Sequence, residues 1–143
     1  MDVQIRWIPP KRFDGRSQSG ATLALDARRE SGGTGAGPSP METVLMALAG
    51  CTGSDVVETL RKMRAPLEGL TITVTAERAE EHPRVFTKIH VQYAAWGDGL
   101  QRPHVDRAVS LSVEKYCSVS AMLRQTATIT HEVAVSAQAP ATA

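Results

Sequence analysis

Charge of one sign is missing from this chain: 16 basic side chains meet 15 acidic ones over 143 residues, a formal net charge of +1. Nucleic-acid binding calls for a basic face that neutralises phosphates, and the composition makes no case for one. Long hydrophobic runs are missing as well. The longest uncharged apolar stretch, Thr43 to Ser54, is too short to span a bilayer, which takes about 20 residues. The opening Met1-Asp2-Val3-Gln4 has no basic region followed by an apolar one, so no signal peptide is expected and the expected compartment is the cytosol. Cysteine is scarce, with two residues, Cys51 and Cys117. In a reducing compartment two cysteines point to a redox or catalytic device over a structural staple. Their separation excludes a CxxC redox motif and a zinc cluster of the usual short spacing.

The familiar loop motifs are missing too. Ser31-Gly32-Gly33-Thr34-Gly35-Ala36-Gly37-Pro38-Ser39-Pro40 is rich in glycine and runs into a helix start, the setting of a phosphate cradle. Yet GxGxxG fails in every register, and neither GxxxxGK[ST] nor GxSxG occurs. A flexible loop is the simpler reading. His82 falls in a turn, His90 and His131 in strand patterns, and His104 at a helix start. No pair has the helical spacing of metal ligands, so no metal is expected.

What is present reads as one globular domain. The length suits a single core, and 42% hydrophobic with 22% charged residues is ordinary for a folded chain. Val3, Ile5 and Trp7 alternate with Asp2, Gln4 and Arg6, the period of a half-buried strand. Pro9-Pro10, Phe13-Asp14-Gly15 and Ser19-Gly20 are turn signals, and Ala21 to Asp26 is another short alternating run. These segments predict an N-terminal antiparallel meander. Leu70, Ile72, Val74 and Ala76, then Val85, Thr87, Ile89, Val91 and Tyr93, predict two long strands around a turn at Glu80-Glu81-His82-Pro83. Pro103 opens a second helix that breaks near Cys117, Ser118 or Ser120 caps a short third helix through Gln125, and Ile129, Val133 and Val135 mark a last strand. The order of elements is that of an α+β fold spanning residues 1–136, with 137–143 a frayed tail.

The most informative segment is Met41 to Arg64. Ser39 serves as cap and Pro40 as first helical residue, and Met41, Leu45, Leu48, Ala49, Thr52, Val56, Leu60 and Met63 recur at helical spacing. No charge falls between Glu42 and Asp55, so that half is expected to be buried all round, whereas Glu58, Arg61, Lys62 and Arg64 make the second half amphipathic. Such a helix is about 36 Å long, barely less than the width of a domain of this size. Cover on every side calls for a second copy, and a homodimer with the helix at or near its interface is inferred.

Cys51 lies in the uncharged half of this helix, in line with Val44, Ala47 and Asp55. A lone core cysteine is commonly a small hydrophobe, and that reading stays open. Cys117 precedes a helix N-terminus, where backbone N–H groups and the helix dipole favour thiolate. Glu42 in the first turn suits the helix dipole, and Arg12 and Arg16 beside the Gly15 turn read equally as solvated charges.

Two stretches together carry a resemblance. Ser39-Pro40-Met41-Glu42-Thr43-Val44-Leu45-Met46-Ala47-Leu48-Ala49-Gly50-Cys51 resembles the central helix motif of the OsmC/Ohr family, and Lys115-Tyr116-Cys117-Ser118-Val119-Ser120-Ala121-Met122-Leu123 resembles its second cysteine motif. Phe13 to Gly20 is similar to that family's N-terminal strand pair. The resemblance implies an intertwined α+β homodimer, antiparallel sheets around a central cysteine-bearing helix, and a thiol peroxidase acting on organic hydroperoxides. Cys51 would be the peroxidatic thiolate, Cys117 the resolving thiol, and an external dithiol of lipoyl type the reductant, with no resident cofactor. Arg16 is the candidate for the family's thiolate-holding arginine, with Arg12 as near in the chain, and Glu42 for the acid that positions it. Met41 stands where the best-defined peroxidase branch has that Glu and Ser118 where it commonly has Pro, which directs the resemblance to the broader OsmC-like branch. Two other readings are a thiol enzyme acting on a different electrophile, and a non-catalytic binding dimer with a pocket lined by Val44, Met46 and Tyr116.

Overall fold

The N-terminal alternation becomes, in a computed structural model describing residues 1–141, strand β1 (Val3–Ile8) of a three-stranded sheet. It pairs antiparallel with β2 (Arg12–Ser17), which pairs antiparallel with β3 (Thr22–Leu25). The meander is therefore as the turn signals predict. Half-burial of β1 is not found: Val3, Ile5 and Trp7 are 80%, 55% and 58% exposed. The period was correct, but one copy of the chain supplies no cover for that apolar row.

The Gly-rich segment is more ordered than a flexible loop. It opens on a short 3-10 turn, Arg29–Ser31, and folds around Asp26, which is only 2% exposed. The Asp26 carboxylate accepts from the backbone N–H groups of Ala27, Thr34 and Ala36 and from the Thr34 hydroxyl. Glycine is needed for the close approach: a Cβ at Gly33 would lie 2.0 Å from the Ala27 carbonyl oxygen, and one at Gly37 2.1 Å from that of Ala24. The Thr34 hydroxyl leads these donors in holding the Asp26 pKa down at about 2. A carboxylate whose folded pKa is depressed stabilises the fold above its unfolded value of about 3.9 and loses that contribution as pH falls toward the folded value. Protection factors of the Thr34 and Ala36 amides should therefore be large at pH 5 and fall below about pH 4. Asp26→Ala should leave them small at both. Equal protection in the variant would show that the carboxylate does not organise this loop.

Helix α1 (Pro40–Lys62) begins where Ser39-Pro40 predicts and ends two residues short of Arg64. Ser39 and Glu42 close a reciprocal cap, the Ser39 N–H donating to Glu42 at 2.8 Å and the Glu42 N–H to Ser39 Oγ at 3.3 Å. Leu48, Thr52, Val56 and Leu60 form its buried stripe at four-residue spacing. The expectation of all-round burial before Asp55 is corrected: Ala47 and Gly50 are exposed, and Met46 is 58% exposed. Absence of charge recorded an uncharged face, which a single chain leaves open.

The chain forms two compact units, residues 1–46 and the remainder from Ala47. In the second, β4 (Gly69–Arg78) pairs antiparallel with β5 (Phe86–Trp96), and Phe86, Ile89, Val91, Tyr93 and Ala95 of β5 are buried. Helix α2 (Arg102–Leu111) contributes Val105, Ala108 and Val109 to this core. It passes into a π-helical turn, Ser112–Tyr116, before Cys117 and a short α3 (Ser118–Leu123). The last strand, β6 (Thr128–Ser136), lies parallel to β5, from Lys88 opposite Thr128 to Trp96 opposite Ser136. This corrects the expectation of purely antiparallel sheets. The connection from β5 to β6 carries both later helices, and such a crossover permits parallel pairing. No helix among the described residues is long and apolar enough to cross a membrane. Of the tail, residues 142 and 143 lie outside the described residues.

Candidate active site

The Cys51 side chain is placed by α1, and Asp55 follows it by four residues, one turn along the same face. Cys117 is held at the N-cap of α3, its Sγ accepting from the Ser120 N–H at 3.3 Å. The cap is thus the cysteine itself and neither Ser118 nor Ser120. The fold brings the two cysteines together with Asp55: both Sγ atoms and a carboxylate oxygen lie within 4.8 Å of one another. Both thiols are free, Cys51 half-buried and Cys117 only 4% exposed.

Behind them runs a buried row of hydroxyls. Ser112 Oγ donates to Asp55 Oδ2 at 2.8 Å, lies 2.9 Å from Thr52 Oγ1, and Thr52 Oγ1 lies 2.8 Å from the Tyr93 hydroxyl. This row ties α1, β5 and the π-helical turn to one carboxylate. Every buried side-chain nitrogen and oxygen among the described residues has a partner, so the row is fully satisfied. Burial raises the Tyr93 pKa, against the opposing hydrogen bond from Thr52, so the phenol stays protonated.

The expectation that a helix N-terminus makes Cys117 a thiolate is reversed. Burial pushes its pKa up to about 11, with Cys51 and the Asp55 charge adding to the rise. The Ser120 N–H opposes this but does not outweigh it. Cys117 therefore holds its proton at neutral pH. A thiol with a raised folded pKa binds its proton more tightly folded than unfolded, so the contribution is complete below the unfolded value of 9.0 and lost as pH climbs toward 11. Urea unfolding of the reduced protein should show stability falling above about pH 9, with a shallower slope in Cys117→Ala. Identical slopes would place the alkaline loss elsewhere.

Outside this cluster, Asp55 lines a cavity of about 260 Å3 with Glu58, Thr59, Lys62, Leu111 and Tyr116. Tyr116 is 49% exposed. In the N-terminal unit, Arg16 sits on β2 opposite Gln4 and Thr22, whereas Arg12 is bound to Asp14 at 2.7 Å. Glu42 caps its own helix and reaches Arg28 at 3.3 Å.

Thr52, Tyr93 and Ser112 carried no signal in the sequence as site residues. Asp55 did carry one, the four-residue spacing from Cys51. Local spacing also said nothing of a donor set drawn from distant segments. Two thiols and a carboxylate from distant segments thus converge, with Ser112 orienting the carboxylate.

Paired free thiols from separate segments, on an α+β scaffold with a mixed sheet, define a two-thiol protein with the means for redox chemistry. Residues 33–132 match the family model described as OsmC-like protein, and the chain belongs to the OsmC-like family. It is 42% identical to Protein YhfA of Escherichia coli K12 over 135 residues, 94% of this chain and 98% of that one. A solved hypothetical protein from Aquifex aeolicus VF5 is 29% identical, with a TM-score of 0.79 over 94% of this chain and 96% of that one. An organic hydroperoxide resistance protein OsmC from Legionella pneumophila shares the fold at 20% identity, with a TM-score of 0.68 over 94% and 96% of the two chains.

Proposed function

We propose that the protein is a thiol-dependent peroxidase reducing organic hydroperoxides by a two-cysteine cycle. The observation that carries this is the meeting of Cys51 and Cys117, both free, with their sulfurs within 4.8 Å. Cys51, the more accessible, attacks the peroxide O–O bond as thiolate. The distal oxygen stays on sulfur as sulfenic acid, and the alkoxide leaves and is protonated to an alcohol. Cys117 then attacks the Cys51 sulfur, a disulfide forms and water leaves. An external dithiol, with lipoyl groups the candidate class, reduces the disulfide through a mixed disulfide. No metal or organic cofactor takes part.

Of the arginine and acid that the family resemblance implies, Arg16 is the proposed cation for the thiolate and Glu42 its proposed partner. In the free chain Glu42 caps its helix. The proposed working unit is a cytoplasmic homodimer with the site at the subunit interface. Open apolar surface on β1 and on the uncharged half of α1 supports the dimer. Bound organic hydroperoxide and the dithiol are its only proposed partners, with neither nucleic acid nor membrane.

Steady-state consumption of tert-butyl hydroperoxide with dihydrolipoamide as reductant tests the reading. Turnover that scales with enzyme and dithiol is expected. Turnover on a small disulfide with none on hydroperoxide would move the site to another electrophile. No turnover on either, with thiols that resist alkylation, would leave a binding protein.

A further inference from the structure

Closing the disulfide requires Cys117 to lose a proton that its surroundings hold firmly. A proton acceptor beside that sulfur would speed this step. The groups facing it come from four segments: Cys51 and Asp55 from α1, Tyr93 from β5, Ser112 from the π-helical turn, and the Ser120 N–H of α3. Tyr93 and Ser112 are hydroxyls and the Ser120 N–H is a donor, so none of these takes a proton at neutral pH. Cys51 is the sulfur under attack. Asp55 remains, with a carboxylate oxygen within 4.8 Å of both sulfurs.

Asp55 is also held for such a task. Its Oδ2 accepts from Ser112 at 2.8 Å, and Ser112 is braced in turn by Thr52 and Tyr93. On its other side it borders the 260 Å3 cavity where Glu58 and Lys62 are 46% and 71% exposed. That edge gives the carboxyl a path to solvent. Glu58 is engaged by Arg61 at 2.8 Å and by Lys62 at 3.4 Å, which leaves Asp55 the carboxylate beside the thiols.

We propose that Asp55 is the catalytic base that takes the Cys117 proton as the disulfide closes, with Ser112, Thr52 and Tyr93 as the residues that position it. This rests on the two-cysteine reading above and adds to it the group that moves the proton. The Cys117 S–H bond breaks and its proton passes to an Asp55 oxygen. The freed electron pair forms the bond to Cys51 Sγ, the Cys51 S–O bond breaks, and the departing hydroxide takes the proton from Asp55 to leave as water. Sulfenic acid plus thiol thus becomes disulfide plus water, and Asp55 returns to carboxylate.

The test isolates this step from peroxide. Full-length reduced protein is treated with one equivalent of Ellman's reagent, which loads Cys51 as a mixed disulfide with thionitrobenzoate. Attack by Cys117 then releases the coloured thiolate, whose departure needs no proton. Wild type should release it quickly at pH 7. Asp55→Asn keeps the shape and the contact with Ser112 but removes the base, and should be slower by about 10²-fold at pH 7. Its rate should climb about tenfold per pH unit as Cys117 ionises unaided, narrowing the gap. Asp55→Glu, which keeps a carboxylate, should recover most of the wild-type rate and the flatter profile. A wild-type rate and profile in Asp55→Asn would overturn the proposal, as would a deficit equal at every pH or one shared by Asp55→Glu. Base-assisted release in a protein that consumes no hydroperoxide would retire the peroxidase reading and leave the Asp55 assignment standing.

Discussion

Cys51→Ser should consume no organic hydroperoxide above the uncatalysed rate, because a serine hydroxyl supplies no thiolate to the O–O bond. Cys117→Ser should behave differently. It keeps the attacking sulfur, so one equivalent of peroxide is consumed, and the product is a sulfenic acid that a trapping dione captures on Cys51. The two variants thus separate attack from resolution. Undiminished turnover in Cys51→Ser, or loss of the first equivalent in Cys117→Ser alone, would reverse the assignment of roles. The assignment rests on access and on protons: Cys51 is half-buried, while Cys117 is buried and keeps its thiol proton up to about pH 11.

The second large effect is on stability. Thr52→Val preserves shape but removes the hydroxyl that contacts both Tyr93 and Ser112. Ser112 retains Asp55, but the Tyr93 hydroxyl is orphaned in the core, where the residue is 2% exposed. Leaving a buried hydroxyl unpaired costs about 1–3 kcal/mol. For a domain of this size that lowers Tm by roughly 3–15 °C. Adding Tyr93→Phe removes the orphan and should return part of the loss, giving a favourable coupling in the double-mutant cycle. Strict additivity, or a single variant as stable as wild type, would mean that the hydroxyl row does not hold these elements together.

Much of the scaffold was legible in the residue pattern, and for identifiable reasons. Ser39-Pro40 and the four-residue recurrence of Leu48, Thr52, Val56 and Leu60 are local signals, and α1 starts and runs where they place it. The β4 and β5 alternation, and the turn between them, are equally local. What was not legible depends on segments far apart in the chain. Nothing in Thr128–Ser136 says that it pairs parallel with β5, because period two is the same in either direction. The thiol state of Cys117 was not legible because its helix N-terminus is a local feature, whereas the burial that outweighs it is tertiary. Ser39-Pro40-Met41-Glu42 is a capping-box pattern, a local signal, and the structure uses it as one.

The same distinction explains the site. Two cysteines from separate stretches were nameable from their flanking residues, and the fold brings them together. Asp55 was visible as a charge one turn after Cys51, but its nearness to Cys117 was not. Thr52 reads as one more member of the apolar stripe, although its hydroxyl links β5 to the π-helical turn.

The most direct measurement is the intact mass of reduced protein exposed to one equivalent of an organic hydroperoxide, with remaining thiols alkylated. The predicted product lacks both alkyl groups, has lost two hydrogens, and yields a Cys51–Cys117 cross-linked peptide. Protein alkylated at both cysteines beside unconsumed peroxide would contradict the two-cysteine account.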